Sequence, residues 1–318
     1  MIRLARIGVL AAAVSAAACT RPFFQPEPGL RWTPAELGLA YEDVWFRSGD
    51  GESLHGWLLR VPAAQQPSPT IVFLHGNAEN ASTHLGSVAW LPAHGFQIFL
   101  FDYRGFGLST GTPDIPGALL DAEAALALAP RLDGVDPTRI AVFGQSIGGA
   151  LALCAAARVA ETTSLRAVLV DSAPSDWRSV AREALQQSAL TRPLATPLAW
   201  LVPTRPSPLD AVRALRGRPM LFVVGAEDAI VAPHHGRRLA AAAGPEAELW
   251  EVPGVPHIGA FERPEWRSRL VAYLKRVMSG AEPGSMVHAG RTPNGSVILV
   301  RSLAEGSESD RSSGFGPP

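Results

Sequence analysis

A serine between glycines is the residue of this sequence best placed to do covalent chemistry. Ser146 follows the apolar run 140–143, lies between Gly144 and Gly148, and precedes an alanine-rich segment. A strand that turns sharply into a helix has this pattern, and the turn exposes the serine hydroxyl above the sheet. A Gly-x-Ser-x-Gly match arises by chance about 0.2 times in a chain of this length and composition. The motif alone therefore only suggests a nucleophile, and its partners must be found elsewhere.

The base that activates Ser146 is expected to be a histidine later in the chain. A serine hydroxyl needs an imidazole to take its proton and a carboxylate to orient that imidazole, in the chain order Ser, acid, His. Four histidines follow the serine: His234, His235, His257 and His288. The first two lie at a predicted helix start, where surface histidines are common, and His288 lies in a polar C-terminal segment. His257, in a loop rich in proline and glycine after a predicted strand, is the predicted base.

The acid is predicted to be Asp228, which lies just past the apolar run 220–224. Asp171, at the end of an earlier apolar run, is the main alternative, because the acid can also follow that strand. Glu227 is the neighbour of Asp228. For Asp171 and Glu227, loop hydrogen bonding and solvent exposure are the other interpretation.

Acyl transfer also needs two N–H donors for the negative oxygen that develops on the substrate. One is the amide after the nucleophile, that of Ile147, and the other comes from the loop after an earlier strand. That loop begins at His75, where Gly76 permits a tight turn and Asn77 would present its backbone N–H. His75 precedes the serine in the chain, so we expect it to order the loop rather than to act as the base.

The elements that must position these residues alternate between strand and helix patterns. Apolar runs predict strands at 43–46, 54–61, 70–74, 96–101, 140–143, 167–170, 220–224 and 249–252. Helical spacing predicts helices at 82–93, 115–129, 148–159, 233–243 and 264–278. The first two strands form an antiparallel pair around a Gly-Asp-Gly turn. The alternation predicts an α/β protein with a mainly parallel central sheet covered by helices on both faces.

One segment breaks this alternation. Residues 174–215 separate two predicted strands and carry six prolines among aromatic and leucine residues. We interpret the segment as short helices inserted as a cap, which would cover the site and shape a substrate pocket. An ordinary crossover helix followed by a loop is the alternative.

The two ends of the chain differ in character from the domain at 42–279. Arg3 and Arg6 precede the apolar run 7–18, which ends in small residues before Cys19. This arrangement predicts a signal sequence over 1–19. Cys19 after three alanines resembles a bacterial lipoprotein signal, although Ala16 stands where leucine is usual, so plain cleavage is the alternative. We assign 20–41 to a linker and 280–318 to a disordered tail.

Composition limits the partners and cofactors. The chain has 318 residues, of which 47% are hydrophobic, and its net charge of −1 gives no bulk attraction to nucleic acid. Apart from Cys19 the only cysteine is Cys154, which we expect to be a small buried apolar residue rather than a nucleophile. No His or Cys cluster has the spacing of metal ligands, so we expect neither a metal nor an organic cofactor.

Together these motifs resemble the α/β-hydrolase superfamily. The matching stretches begin at His75, Phe101, Gly144, Gly225 and Pro256, and the resemblance covers about residues 42–278. The chain is most similar to the Bem46-like group of serine hydrolases, which includes depalmitoylating relatives. The resemblance implies the α/β-hydrolase fold, a Ser146–Asp228–His257 triad and an oxyanion hole from Asn77 and Ile147. It also implies that Asp102 is a hydrogen-bonding scaffold residue near the site.

These expectations point to an enzyme that cleaves carboxylic esters or thioesters of a small acyl substrate. Amide or peptide hydrolysis is the alternative within enzymes, because both chemistries use the same triad. A non-catalytic binding protein of the cell envelope is the alternative outside enzymes, and it predicts a broken triad. The signal implies export to the bacterial cell envelope and, if Cys19 is processed, attachment to the membrane by lipid on the periplasmic side.

Overall fold

The computed structural model of the protein describes residues 20–62 and 67–279. The predicted signal sequence with Cys19, and the segment 280–318, lie outside these residues and stay predictions. Within the described part of the chain, no helix is long and apolar enough to cross a membrane.

An eight-stranded sheet forms the centre of the domain. Its strands are β1 (Tyr41–Arg47), β2 (Ser53–Leu59), β3 (Ser68–Leu74), β4 (Gln97–Phe101), β5 (Val135–Gln145), β6 (Leu165–Asp171), β7 (Met220–Gly225) and β8 (Glu248–Val252). They are ordered β1-β2-β4-β3-β5-β6-β7-β8 across the sheet. The β1–β2 and β2–β4 pairs are antiparallel, and every other pair in this sheet is parallel. The predicted mainly parallel sheet is confirmed.

Eight α-helices flank this sheet or lie beyond its edge. They are α1 (Ala81–Val88), α2 (Ile115–Leu128), α3 (Ile147–Arg158), α4 (Trp177–Gln187), α5 (Ala195–Ala199), α6 (Pro208–Ala214), α7 (His234–Ala243) and α8 (Pro264–Met278) within the described residues. Helix α1 is shorter than the predicted 82–93. Pro92 has no N–H to offer the carbonyl oxygen of Val88, which accepts the N–H of Leu91 at 3.0 Å instead, and a 3-10 turn follows at Pro92–His94.

Both faces of the sheet are buried, as its continuous apolar strands require. In β3, Ile71 and Phe73 pack towards α1 and α8. Val72 and Leu74 pack on the other face, towards α2 and α3. The parallel strands therefore end at one edge between two apolar layers, and the loops that follow them meet there.

The segment 20–41 is not a linker, so that prediction is wrong. Gln25–Pro26 pairs in parallel with Ala78–Glu79 as a separate two-stranded sheet. Phe24 is buried, and its ring lies 6.1 Å from that of Phe106. These contacts fix the segment against the loop after β3, which is a candidate part of the site.

The predicted cap, 174–215, divides into two parts, and the prediction is wrong for the last. Helix α4, the 3-10 turn Arg192–Leu194 and α5 pack on one another outside the sheet layers. Helix α6 instead buries Ala211 and Val212 in the core beside α3 and α7. The apolar face of α6 makes it the crossover helix between β6 and β7, so the cap ends before Pro208.

A close approach of α3 to β3 predicts a severe effect of Gly148→Ala. An added Cβ would lie 2.3 Å from the carbonyl oxygens of Leu74 and His75, which are backbone atoms. We expect the substitution to lower the free energy of unfolding by about 1–3 kcal/mol in urea titrations. Gly86→Ala is the matched control, because Gly86 is in α1 with open space at its Cβ position. It should be neutral or raise stability by up to about 1 kcal/mol. Equal losses in both variants would contradict this account.

Candidate active site

Ser146 lies at the turn between β5 and α3 in a strained backbone conformation. Its φ is 54° and its ψ is −123°, values that a residue with a side chain rarely adopts. Its N–H donates to the carbonyl oxygen of Asp171, 2.8 Å away at the end of β6. Gly144 permits the turn, since a Cβ there would lie 2.3 Å from the carbonyl oxygen of Gly148. The neighbouring strand and the helix thus hold the serine in place, and Ile147 begins α3 directly after it.

Asp228 and His257 are joined by a hydrogen bond. His257 Nδ1 lies 2.7 Å from Asp228 Oδ2, and the other carboxylate oxygen accepts the N–H groups of Ile230 and Val231, both at 2.9 Å. Burial alone would raise the pKa of Asp228, but the hydrogen bonds from His257 and these amides outweigh it and lower the pKa. The ionised carboxylate favours the tautomer with its proton on Nδ1, which leaves Nε2 of His257 free to accept a proton.

The loop of His257 is attached to the strand that also holds Ser146. The N–H of Ile258 donates to Ser172 Oγ at 3.4 Å, and Ser172 directly follows the residue that accepts from Ser146. Ile258 and Ser172 have positive φ angles of 50° and 55°. A positive φ on a β-branched residue is an outlier that its surroundings must enforce. Three of the four strained non-glycine residues in the described chain therefore surround this site, Ser146 included.

Asp171, the alternative acid, has a different environment. It is fully buried, and its carboxyl accepts from Ser172 Oγ at 3.1 Å and from Gln145 Nε2 at 3.4 Å. Burial raises its pKa to about 6, against the opposing effects of Ser172 and the nearby His257. His257 is hydrogen-bonded to Asp228 and not to Asp171. The geometry therefore favours Asp228 as the residue that orients the histidine.

The loop after β3 lies against the nucleophile. An added Cβ on Gly76 would be 3.9 Å from the Ser146 Cβ. The carbonyl oxygen of Asn77 accepts the N–H of Gln25 at 2.8 Å, which fixes the loop from its outer side. These contacts place the predicted oxyanion donors, the amides of Asn77 and Ile147, on two segments that meet at Ser146.

His75 and Asp102 hold this loop from beneath. His75 is fully buried between the rings of Tyr103 and Phe106, whose centroids lie 4.6 and 5.1 Å from its own. Asp102 Oδ1 accepts the N–H of Ala81 at 2.7 Å and lies 3.5 Å from His75 Nε2. The ordering of the loop by His75 and the scaffold role of Asp102 would use these contacts, and both roles stay predictions.

A second group of titratable residues joins the cap to the domain. His235 is fully buried and not at the surface, so that interpretation of it is wrong. Its Nδ1 accepts the N–H of Ser175 at 3.1 Å, which leaves Nε2–H to donate to Glu183 on α4 at 3.0 Å. Glu183, His234 and His235 form the single described trio close enough to hold a metal ion. A metal ion on Nε2 of His235 would have to displace its proton. The trio therefore fits a hydrogen-bonded contact between α4 and α7 better than a metal site.

A cavity of about 500 Å³ lies away from the candidate triad. Its lining includes Pro92 and Asp133, which precede β4 and β5, and the ion-paired Arg60 and Glu42. It therefore opens at the amino ends of the parallel strands, whereas Ser146 lies past the carboxyl end of β5. Ligands of open α/β sheets bind at the carboxyl edge, so this cavity is not part of the candidate site.

His84, in helix α1 beside the loop after β3, should make the stability of the protein sensitive to acid. The ring of His84 stacks on His75 at 5.3 Å, and its Nε2 lies 3.3 Å from the carbonyl oxygen of Ala78. Burial, with help from His75, lowers the pKa of His84 to about 4. Between pH 6.5 and 4 the unfolded chain binds a proton that the folded protein does not, so stability falls as the pH falls. Urea unfolding should show a loss of about 2 kcal/mol at pH 5 relative to pH 7 from this group.

In His84→Gln that part of the pH dependence should vanish. The matched control is His94→Gln at an exposed histidine, which should keep the wild-type profile. A wild-type pH profile in His84→Gln would contradict the assignment.

Comparison with known sequences identifies relatives of this chain. A model of the α/β-hydrolase fold matches residues 69–195. The Escherichia coli protein YfhR is 34% identical over 224 residues, which are 69% of this chain and 74% of YfhR. The α/β-hydrolase domain-containing protein WAV2 of Arabidopsis thaliana is 33% identical over 241 residues, 72% of this chain and 76% of WAV2. Protein bem46 of Schizosaccharomyces pombe is 28% identical over 202 residues, 63% of this chain and 65% of bem46.

Solved structures agree on the fold. An esterase from Pyrococcus furiosus superposes with a TM-score of 0.66 at 23% identity, over 80% of this chain and 98% of that one. An esterase from Pyrobaculum calidifontis gives a TM-score of 0.57 at 22% identity, over 76% of this chain and 86% of that one. At these identities the likeness shows the fold alone. With the sequence relatives, it establishes that the chain belongs to the α/β-hydrolase family, with WAV2 and bem46 among its relatives.

Proposed function

We propose that this protein is a serine hydrolase of carboxylic esters or thioesters that works through an acyl-enzyme. The observation that carries the proposal is the 2.7 Å hydrogen bond between Asp228 and His257, in a loop bonded to the strand that also holds the strained Ser146. A binding protein without catalysis gives no reason to maintain such strain or an oriented histidine. Membership of the α/β-hydrolase family supports hydrolysis, and the fold is shared with two proteins described as esterases.

In the first half-reaction, Ser146 Oγ attacks the carbonyl carbon of the substrate while its proton passes to His257 Nε2. Asp228 stabilises the resulting imidazolium through the Nδ1 hydrogen bond. The carbonyl oxygen becomes an oxyanion held by the N–H groups of Ile147 and Asn77. When the tetrahedral intermediate collapses, the carbon–oxygen or carbon–sulfur bond of the leaving group breaks. The leaving alcohol or thiol takes the proton from His257.

In the second half-reaction, water takes the place of the alcohol or thiol. His257 removes a proton from the water as the water oxygen attacks the acyl carbon. The bond to Ser146 then breaks, and its oxygen recovers the proton from His257. The products are a carboxylic acid and free enzyme, and no step of this cycle uses a metal or an organic cofactor.

The location of this activity follows from the predicted signal and remains part of the proposal. An apolar run ending before Cys19 supports export to the cell envelope and a lipid anchor at that cysteine. Gel mobility with and without inhibition of lipoprotein signal processing would test the anchor separately from catalysis.

The nucleophile is tested by Ser146→Ala. We expect this variant to lose labelling by a fluorophosphonate probe and several orders of magnitude in kcat, because the base then has no hydroxyl to activate. A panel of acyl nitrophenyl esters, acyl thioesters and aminoacyl anilides would measure the leaving-group preference. Ser188→Ala, at an exposed serine beyond α4, is the control and should be labelled like the wild type. Labelling that persists in Ser146→Ala, or wild-type protein that is inert to probe and panel, would refute the proposal.

The assignment of the acid is tested by a matched pair, Asp228→Asn and Asp171→Asn. We expect Asp228→Asn to lower kcat by about 10³–10⁴-fold, since an amide cannot hold the required tautomer of His257. Asp171→Asn should keep kcat within about tenfold of the wild type. It should also raise the free energy of unfolding at pH 8, because the folded protein no longer has to ionise a buried carboxyl whose pKa is about 6. If the two variants exchanged these outcomes, Asp171 would be the acid.

A further inference from the structure

The cap exposes a cluster of large apolar side chains. Their exposed fractions range from 38% to 86%, and they are Leu190, Leu194, Leu198, Trp200 and Leu201, which we call the cap face. All five fall within twelve consecutive residues after α4. Single exposed leucines are common, but a cluster that includes a tryptophan at 67% exposure marks a surface that meets something apolar.

The segment that carries the cap face has only positive charges. The chain from Ala184 to Leu209 contains no aspartate, glutamate or lysine, and its two charged residues are the exposed Arg192 and Arg205. Arginines beside tryptophan and leucine match the boundary of an anionic lipid layer, where the guanidinium groups meet phosphates and the apolar side chains enter the acyl region. The combination of arginine, tryptophan and leucine favours an anionic lipid surface over a basic or neutral protein partner.

The cap face also lies near the point where the chain enters the described domain from its N-terminal apolar segment. The ring of Phe23 packs edge-on against Trp177, the first residue of α4, at 5.9 Å. The neighbouring Arg178 lies over the Trp200 ring at 4.8 Å and donates to the Trp200 carbonyl oxygen. Phe23 is only four residues after Cys19, so a lipid anchor at that cysteine would hold this end of the cap close to the membrane.

The other end of the cap face lies beside the candidate triad. Gln187, three residues before Leu190, donates from Nε2 to the carbonyl oxygen of Ala229 at 2.8 Å. Ala229 directly follows Asp228, and the next residue, Ile230, is 59% exposed. The segment that precedes the cap face is therefore hydrogen-bonded to the loop that orients His257.

We propose that the cap face docks on an anionic lipid bilayer, with Trp200 and the four leucines in the interface and Arg192 and Arg205 on the phosphates. A consequence, which rests on the proposed function, is that the acyl substrate reaches the triad from the bilayer. Docking itself requires no catalysis, so it can be measured on an inactive protein.

The test measures flotation of the full chain with vesicles of phosphatidylethanolamine and phosphatidylglycerol. The protein carries Ser146→Ala and is made by cell-free translation without membranes, so that Cys19 is unmodified and every variant keeps the same N-terminus. Adding Trp200→Ser with Leu201→Ser should weaken vesicle binding at least about tenfold. The matched control, Trp45→Ser with Leu37→Ser, removes a tryptophan and a leucine of similar exposure at sites outside the cap and should bind like the parent protein.

Leu190→Ser with Leu194→Ser is the second cap variant, and it leaves the contact between Arg178 and Trp200 intact. It should also bind vesicles more weakly while keeping the parent unfolding temperature. Undiminished flotation of both cap variants, or equal losses in the cap and control pairs, would overturn the proposal. A protein that does not bind vesicles but dimerises through the cap face would also overturn the proposal, because a second copy would then be the occupant of the cap face.

Delivery of the substrate from the bilayer is tested by measuring ester hydrolysis in proteins that keep Ser146. The cap variants should hydrolyse a soluble short-chain ester at the wild-type rate, but a long-chain acyl ester embedded in the vesicles at least about fivefold more slowly. If wild-type protein cleaved neither ester, the proposed function would fail while the flotation result still decided docking. If the cap variants cleaved both esters at wild-type rates, delivery from the bilayer would be overturned.

Discussion

The close approach of α3 to the end of β3 is the constraint on which the site depends. At Gly148 the helix backbone lies where a Cβ would touch the carbonyl oxygens of Leu74 and His75. This approach accompanies a strained turn at Ser146, whose N–H is hydrogen-bonded to the end of the neighbouring strand. One tight contact thus brings together three groups that acyl transfer needs: the serine hydroxyl, the amide that begins α3 and the loop after β3.

Two carboxyl groups lie near His257, and their surroundings shift their pKa values in opposite directions. Asp228 is buried but accepts two amides and the imidazole, and its pKa is lowered. Asp171 is fully buried with weaker partners, and burial raises its pKa to about 6. A carboxylate that is ionised at neutral pH can stabilise an imidazolium, whereas a group that titrates near pH 6 competes for protons with the base itself. The electrostatic difference supports the role given to Asp228 more strongly than its position in the chain does.

The sequence predicts the mainly parallel sheet correctly, and it predicts the candidate triad from residues that follow strand ends. Parallel strands bring their carboxyl ends to one edge, so motifs after β3, β5, β7 and β8 had to meet. The sequence does not predict features whose position depends on tertiary contacts. Gln25–Pro26 is too short to show any periodicity, and α6 can be separated from the cap only by seeing Val212 in the core. The burial of His235 likewise depends on its partners Ser175 and Glu183, 60 and 52 residues away in the sequence.

The wrongly predicted linker connects the two halves of the proposed mechanism. Phe23 packs on the first residue of the cap, and Gln25, two residues later, bonds to the carbonyl oxygen of Asn77 in the predicted oxyanion loop. One short segment therefore contacts both the surface proposed to meet lipid and the loop proposed to stabilise the transition state. The lipid anchor proposed at Cys19, upstream of Phe23, would hold this same segment. The proposed membrane attachment and the proposed catalytic geometry would then depend on the same stretch of chain.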